Sequence, residues 1–289
     1  MSAPTRTPVV DAHHHFWTPS QHDYYWMAGA ELEPIRRSFG PADLRPLLAE
    51  AGVDSTVLVQ TVPSVRETRE FMEVAATTEF VAGVVGWVDL TDLAVADTLA
   101  ELQSQPNGPT LVGIRHQVHD ETDAEWLLRS EVQRGLAAVR DAGLAYDVLV
   151  RSRELPAALA TAKALPDMRF VIDHIAKPPI AAGEIDAWSA LMEPFRSLPH
   201  VSCKLSGMIT EASWTNWTAS DLRPYVHRAV DIFGVERVMY GSDWPVCLLS
   251  GSYGAVKSAL EEALPSLSSD EWADVFGGNA IRFYQLDVD

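Results

Sequence analysis

The sequence predicts a single (β/α)8 barrel, or TIM barrel, with an active site at the C-terminal ends of its strands. Eight short β-rich segments alternate with helical segments, at the mean spacing of about 30 residues that such barrels show. No linker or change of composition divides residues 1–289, so we expect one domain. A doubly wound open sheet is the main alternative, but a glycine-rich turn normally follows its first strand. Histidines and aromatic residues occupy that position here.

The eight predicted strands are short runs rich in valine and other apolar residues, which favour extended backbone. In chain order they cover residues 9–15, 55–61, 80–89, 111–118, 145–150, 169–174, 201–207 and 237–243. Between them, segments 65–76 and 131–143 show amphipathic helical periodicity. The second segment ends at Gly143, and glycine commonly follows the end of a helix. Strands and helices in alternation are typical of a parallel sheet.

Composition and charge restrict the partners of the chain. Of its 289 residues 47% are hydrophobic, the formal net charge is −18 and the pI is near 4.8. The composition is that of a globular protein, and so acidic a surface repels nucleic acid and anionic lipid headgroups. We therefore expect a small-molecule substrate, no nucleic-acid partner and no membrane. A homo-oligomer is compatible with the composition.

Two features of the sequence favour a cytoplasmic location. The two cysteines, Cys203 and Cys247, exclude a disulfide framework and favour a reducing compartment. The first eight residues contain no apolar segment of a signal peptide, and no apolar run reaches the roughly 18 residues that span a bilayer.

Polar or aromatic side chains stand at the ends of most predicted strands. They are His13 and His15, Gln60, Trp87 and Asp89, Arg115 and His116, Asp147, His174, Lys204 and Asp243. The C-terminal ends of barrel strands surround one mouth, so these residues are expected to share a site. A barrel used only for binding is disfavoured, because each titratable group at a common mouth is costly to desolvate. The sequence therefore predicts an enzyme.

Three histidines and one aspartate form the candidate metal site. Alternate side chains of a strand share a face, so His13 and His15 point together while His14 points away. His174 and Asp243 end the sixth and eighth predicted strands. Three imidazoles with one carboxylate suit zinc or a similar divalent ion.

Other strand residues are candidates for support of this site. Asp11 has the parity of the two first-strand histidines and is expected to orient one of their rings. The alternation around Lys204 points this lysine into the barrel. There it forms either a Schiff base or, as we favour, a substrate contact or a salt bridge to Asp147 or Asp11. Arg115 and His116 are adjacent, so only one of them is expected to point fully inward.

The candidate substrate-binding residues combine hydrogen-bonding and aromatic side chains. They are Gln60, Trp87, Arg115, His116, Asp147, Lys204, Trp26 and Trp244. Aromatic faces stack on sugar rings and exclude water, so we expect one or two of the tryptophans near strand ends to touch substrate. The long aromatic loop 16–37 is expected to form a lid over the mouth.

Taken together, the motifs resemble a known family. They are DAHHHFW (11–17), GIRHQ (113–117), FVIDHIAKP (170–178), CKLSG (203–207) and YGSDWPV (240–246). The set is similar to the amidohydrolase superfamily, and within it to the amidohydrolase-related (amidohydrolase 2) branch. That branch contains sugar lactonases such as L-fuconolactonase and L-rhamnonolactonase, and also pyrone-dicarboxylate lactonases. The resemblance runs from about residue 9 to residue 284, nearly the whole chain.

The resemblance implies a (β/α)8 barrel that uses the candidate metal site and a catalytic aspartate at Asp243. Binuclear members of the superfamily carry a carboxylated lysine or a glutamate on strand four and a histidine on strand five. This chain has Arg115 and His116 on strand four and Asp147 on strand five, so we expect no two-metal site. Pyrone-type relatives work without metal. The resemblance therefore allows either one divalent ion, with zinc favoured, or a metal-free site.

These observations together favour hydrolysis of a sugar-derived lactone (an aldonolactone) to its hydroxy acid. Asp243 is the expected general base, which takes a proton from water and returns it to the leaving alkoxide. His174, Arg115 and His116 are further candidate catalytic residues, which would supply a positive field at the carbonyl with or without metal. Two alternatives stay open: non-oxidative decarboxylation of an aromatic acid, and a pyrone- or muconolactone-type lactonase.

Overall fold

Eight parallel strands form the centre of the molecule. In the computed structural model, which describes residues 6–288, they are hydrogen-bonded in one sheet in the order β1 to β8. The strands are β1 Val10–His14, β2 Ser55–Val59, β3 Val81–Gly86, β4 Leu111–His116, β5 Ala145–Val148, β6 Phe170–Ile172, β7 Val201–Leu205 and β8 Val238–Tyr240. Each strand lies within its predicted segment. Residues 1–5, which belong to the eight N-terminal residues discussed above in connection with signal peptides, lie outside the described residues.

The sheet closes on itself between β1 and the residues that follow β8. The Asp243 N–H donates to the His13 carbonyl (2.8 Å), and the His15 N–H donates to the Trp244 carbonyl (2.7 Å). These hydrogen bonds continue the parallel pairing around the barrel and place residue 243 beside the end of β1. Together with the alternation of strands and helices, this closure confirms the predicted TIM barrel.

Helices surround the sheet and connect its strands. They are α1 Pro41–Ala51, α2 Val65–Thr77, α3 Val95–Gln103, α4 Ser130–Asp141, α5 Leu155–Ala164, α6 Asp186–Met192, α7 Met208–Glu211, α8 Ala219–Phe233, α9 Tyr253–Ala263, α10 Ser269–Ala273 and α11 Asn279–Tyr284. The two helices predicted from amphipathic periodicity are therefore present as α2 and α4. Among residues 6–288, no helix has both the length and the apolarity that a membrane span requires.

Two apolar layers hold the barrel together. One lies between the strands and the surrounding helices, and the other fills the interior of the barrel. In the interior, Val57, Val85 and Val171 are fully buried and pack in one cluster with Phe283 and Tyr284 of the C-terminal helix. Burial of each such side chain stabilises the fold by roughly 1.5–3 kcal/mol. The C-terminal helix thus seals one end of the barrel with apolar side chains and leaves the opposite end for polar ones.

A bulge in β1 breaks the simple alternation of its side chains. The register between β1 and β2 shifts by one residue between Asp11 and His14. The carboxylate of Asp11 accepts hydrogen bonds from the Ser242 N–H (2.8 Å), the His13 N–H (3.1 Å) and the Tyr253 hydroxyl (3.0 Å). The predicted role of Asp11 in orienting a histidine ring is therefore wrong. This carboxylate instead fixes the backbone of β1 against residue 242.

Candidate active site

The ends of β1, β6 and β8 bring the four predicted metal ligands together. His13 Nε2 lies 3.2 Å from His15 Nε2, and Asp243 Oδ1 lies 3.4 Å from His15 Nε2, 3.8 Å from His174 Nε2 and 3.9 Å from His13 Nε2. All four residues are at most 5% exposed. Donor atoms around a tetrahedral zinc ion lie about 3.4 Å apart, because each is about 2.0–2.1 Å from the metal. The donor atoms of His13, His174 and Asp243 all lie within 4.8 Å of one another, so these three residues could hold one divalent cation, and His15 Nε2 adjoins the donors of His13 and Asp243.

Hydrogen bonds at Nδ1 orient two of the histidine rings. His15 Nδ1 lies 2.7 Å from a main-chain carbonyl of β2, which can only accept, so this nitrogen carries the proton. His174 Nδ1 lies 2.8 Å from the Ser206 hydroxyl. A proton on Nδ1 leaves Nε2 with a free lone pair, the form that binds metal. His14 lies outside this group, and its Nε2 pairs with the Thr56 hydroxyl (2.8 Å) as the prediction of an outward side chain requires.

His13 occupies the centre of the charged groups. Its Nδ1 lies 3.3 Å from Asp173 Oδ1 and 3.2 Å from Lys204 Nζ. A proton on Nδ1 directed at the Asp173 carboxylate frees Nε2 for a cation, as in other carboxylate–histidine–metal arrangements. Burial lowers the pKa of His13 and of His174 well below the ordinary value and also lowers the pKa of His15. All three rings are therefore neutral at neutral pH, as metal ligands must be.

The facing lone pairs and the carboxylate create a site that favours positive charge. When their Nε2 atoms are unprotonated, His13 and His15 place two hydrogen-bond acceptors 3.2 Å apart, and neither can donate to the other. Burial raises the pKa of Asp243, but His174 and His15, which face it, have the larger combined effect and hold its pKa below the usual value. Asp243 is thus ionised. The guanidinium of Arg115 places positive charge beside these groups, because its Nη1 lies 3.3 Å from His13 Nε2.

Left-handed backbone, rather than continued strand, positions two of the four residues. β6 ends at Ile172, and residues 174–177 have φ between 46° and 59°, while Asp243 has φ 56°. Such values are uncommon for residues other than glycine, and residues held in strained backbone conformations cluster at functional sites. Gly207 makes room for this turn, because a Cβ there would lie 2.6 Å from His174 Nδ1. The predicted strand 169–174 is therefore too long at its end.

A buried network of ion pairs lies beside these residues inside the barrel. Lys204 Nζ pairs with the carboxylates of Asp147 (2.5 Å) and Asp173 (3.1 Å), and Arg115 Nη1 pairs with Asp173 (3.1 Å). The Tyr284 hydroxyl donates to Asp147 at 2.8 Å. Burial raises the pKa of Asp147 to about 6 despite its lysine partner. The salt bridge predicted between Lys204 and Asp147 is present.

Asp173 is the charged member of this network that the sequence did not reveal. Its position in the segment FVIDH gives it the parity of Val171, an apolar residue of the barrel interior, so the pattern alone marks no charge there. Burial raises the pKa of Asp173, but Lys204, His13 and Arg115 together hold it well below the usual range. The only sequence signal is its place directly before His174.

A cavity opens over the four candidate ligands at the mouth of the barrel. Its volume is about 560 Å³ with the open mouth included. Of the predicted site residues, those in its wall are His15, Trp26, Arg115, His174 and Asp243. Residues without a predicted role complete the wall, among them Thr61, Gln117, His119, Asp120 and Lys177. Most of these additional residues belong to the loops that follow strands.

Six of the eight predicted substrate-binding residues are not in the cavity wall. They are Gln60, Trp87, His116, Asp147, Lys204 and Trp244. Asp147 and Lys204 are fully buried and form an ion pair with each other. Their predicted role as substrate contacts is therefore corrected to that of a structural ion pair. Gln60 is also buried; its Oε1 accepts from Arg115 and its Nε2 donates to Gln117 (2.9 Å). Trp244 is 1% exposed and packs edge-on against Phe39.

His116 points away from the cavity, which corrects its predicted catalytic and substrate-binding roles. Its Nε2 pairs with Glu121 (2.9 Å), its Nδ1 accepts from the Trp87 indole (3.0 Å), and its ring stacks on Trp126. Arg115, the neighbouring residue, takes the inward position. Only one of the pair points inward, as strand alternation requires.

The predicted lid, loop 16–37, reaches the cavity. The Trp26 indole lies in the cavity wall and donates to the Thr61 carbonyl (3.1 Å) in the loop after β2. The Tyr25 hydroxyl donates to Asp120 (2.9 Å) in the loop after β4. The lid is thus tied to two other loops at the mouth.

The fold and the donor set at its mouth define a class of barrel enzymes in which histidines and one aspartate meet at the strand ends. The chain belongs to the amidohydrolase family, whose model matches residues 10–286. The resemblance found in the sequence motifs is therefore confirmed.

Relatives that match over nearly the full length of the chain support the same family. The chain is 44% identical to an L-fucono-1,5-lactonase of Burkholderia ambifaria and 38% identical to one of Burkholderia multivorans, in each case over 96% of both chains. A crystal structure of an amidohydrolase from Burkholderia multivorans with bound zinc is 37% identical, with a TM-score of 0.90 over 97% of this chain and all of that one. These relatives confirm the predicted enzyme class, a hydrolase.

Proposed function

We propose that this chain, acting as one domain of residues 1–289, hydrolyses a sugar-derived lactone, a cyclic carboxylic ester, to its hydroxy acid. The observation that carries the proposal is the meeting of Asp243 with His13, His15 and His174 beneath an open cavity. The full-length similarity to L-fucono-1,5-lactonases supports an aldonolactone as the substrate class. Such a role belongs to carbohydrate metabolism.

In this proposal Asp243 is the general base. Its carboxylate takes a proton from a water molecule as the water oxygen bonds to the lactone carbonyl carbon. The bond from that carbon to the ring oxygen then breaks, and Asp243 returns the proton to the departing alkoxide. One water is consumed, and one hydroxy acid is formed. The lowered pKa of Asp243 supports this role because the base must be ionised at neutral pH.

Arg115 supplies a fixed positive charge at the cavity wall. Its Nη1 is held by Asp173, and its Nη2 donates to the Gln60 side-chain oxygen (3.1 Å), so the guanidinium cannot swing away. A preorganised charge of this kind stabilises the negative charge that develops on the carbonyl oxygen.

We propose that His13, His15, His174 and Asp243 hold one divalent ion, with zinc favoured by the nitrogen-rich donor set and by the zinc-bound relative. When bound, such an ion polarises the carbonyl and lowers the pKa of water.

A screen of aldonolactones of defined stereochemistry tests the function. We expect the protein to accelerate hydrolysis of L-fucono-1,5-lactone or a close stereoisomer well above its spontaneous rate, measured as proton release with a pH indicator. Hydroxybenzoates and a pyrone dicarboxylate are tested in parallel by their ultraviolet absorbance. No acceleration with any aldonolactone would overturn the proposal. Turnover of a hydroxybenzoate would indicate a decarboxylase, and turnover of the pyrone alone would indicate the other lactonase class.

The metal assignment has its own prediction. Protein purified without chelator is expected to carry about one equivalent of a divalent ion, and His15→Ala is expected to lose most of it, because one of four ligands is removed. Elemental analysis measures both. His119→Ala is the matched control, since His119 lines the same cavity outside the four candidate ligands and its loss should leave the metal content unchanged. Full occupancy in His15→Ala would contradict the ligand assignment.

A further inference from the structure

The cavity wall contains an ammonium group that the proposed reaction does not use. Lys177 lines the cavity at the end of the left-handed turn that begins at His174. Its Nζ lies 3.1 Å from Oε1 of Glu211, the last residue of α7. The two side chains are 15% and 18% exposed, so the pair is partly accessible to solvent.

Among the described residues, Lys177 has N–H donors without a protein acceptor, whereas most N–H donors of Arg115, also in the cavity wall, are already bound to protein acceptors. Both terminal nitrogens of Arg115 donate to protein acceptors, Asp173 and Gln60. An ammonium has three N–H donors, and within residues 6–288 Glu211 alone accepts one from Lys177. Two donors of Lys177 are therefore available to a ligand.

The proposed reaction changes the charge of its ligand. The lactone is neutral, whereas the hydroxy acid is ionised at neutral pH because carboxyl groups of this kind have pKa values near 3.5. The cavity wall also contains Asp243 and Asp120, which repel a new anion. A cation in the wall offsets this repulsion and can bind the carboxylate before the product leaves.

We propose that Lys177 binds the carboxylate of the hydrolysis product and that Glu211 weakens this binding by competing for the same ammonium. The inference rests on the proposed lactone hydrolysis. A product carboxylate forms a charge-assisted hydrogen bond with Lys177, which the neutral lactone cannot match. The pair formed by Lys177 and Glu211 therefore sets the strength of product inhibition. It changes the affinity for the product and has little effect on the affinity for the lactone.

The test measures product inhibition in the wild-type protein and in three variants. The inhibitor is the aldonate made by alkaline hydrolysis of L-fucono-1,5-lactone, and the assay is the initial rate of hydrolysis of that lactone. Lys177→Met removes the charge at similar length, Lys177→Arg retains the charge, and Glu211→Gln removes the competitor. Methionine and arginine at φ 48° meet the same backbone constraint as lysine, so neither adds strain of that kind.

In Lys177→Met, we expect the inhibition constant for the aldonate to rise about tenfold more than KM for the lactone, the size of one hydrogen bond to a charged group. Lys177→Arg should restore most of the inhibition. Glu211→Gln should lower the inhibition constant several-fold, a change of opposite sign. A merely structural role of Lys177 would alter KM and the inhibition constant together.

The outcomes separate this inference from the proposed function. If the wild-type protein does not hydrolyse the lactone, the proposed function and this inference fail together. If it hydrolyses the lactone but Lys177→Met leaves the inhibition constant unchanged relative to KM, only the role of Lys177 is overturned. Should Lys177→Met unfold at a lower temperature than wild type, Glu211→Gln decides, and an unchanged or raised inhibition constant in that variant overturns the inference.

Discussion

Asp243→Asn is expected to lower kcat for lactone hydrolysis by about three orders of magnitude, because an amide cannot take the proton of the attacking water or return it to the leaving oxygen. The fold is expected to survive. Asp243 has φ 56°, and asparagine is among the residues that tolerate left-handed backbone best. The measurements are kcat from proton release, the thermal unfolding temperature, and metal content, since an amide oxygen is a weaker ligand than a carboxylate.

Asp120→Asn is the matched control for this variant. Asp120 lines the same cavity and carries the same charge, but it lies in an exposed loop and pairs with the Tyr25 hydroxyl. We expect its loss to lower kcat less than about tenfold, within the range of a displaced loop rather than of lost proton transfer. Near-normal kcat in Asp243→Asn would remove this residue from the mechanism. An equal loss in both variants would indicate a general effect of cavity charge.

The sequence predicted the barrel because its information is local and repeated. Each strand is a short apolar run, and each stands at a regular distance from the next. Strand ends were predicted less well. The apolar pattern predicts a strand over residues 169–174, whereas β6 ends at Ile172 because the backbone turns left-handed from His174. Nothing in a hydrophobic pattern reports such a change of φ.

The four candidate ligands were predictable because three of them stand close to the ends of apolar runs and one pair shows the H-x-H spacing. The supporting residues were not. Strict alternation places Asp11 on the side of His13 and His15, but a bulge shifts the register of β1 after Asp11 and removes this relation. Asp173 was missed because a buried carboxylate is marked by its partners, Lys204 and Arg115, which come from β7 and β4. Those partners meet only in the folded barrel.

The cavity wall was the least predictable part. Thr61, His119 and Lys177 lie in loops after strands, and the positions of loop side chains depend on contacts with other loops. The contact of the Trp26 indole with the Thr61 carbonyl is one of these. Strand alternation correctly predicts that only one of Arg115 and His116 points inward. It does not distinguish inward residues that line the cavity from those buried deeper in the barrel. Asp147 and Lys204 are of that kind.

Asp173→Asn is expected to lower the free energy of unfolding by about 3–5 kcal/mol, the usual effect of removing one partner from a buried ion pair. Asp173 has no solvent exposure and faces the cations of Lys204 and Arg115 and the neutral ring of His13. Its replacement therefore leaves Lys204 and Arg115 less compensated inside the barrel. Urea unfolding at neutral pH, followed by circular dichroism, measures the change. Glu261→Gln is the control, because the pair of Glu261 with Lys257 lies on the surface and should contribute far less.

The pH dependence of this difference tests its electrostatic origin. Because the folded protein holds the pKa of Asp173 well below that of an unfolded aspartate, near 3.9, the carboxylate stabilises the fold fully above that pH and progressively less below it. The gap between wild type and Asp173→Asn should therefore be present at neutral pH and shrink as the pH falls below about 4. A gap that stays the same in acid would mean that the variant is destabilised by packing or lost hydrogen bonds. The charge of Asp173 would then not be what holds Arg115 and His13 in place beside the candidate metal site.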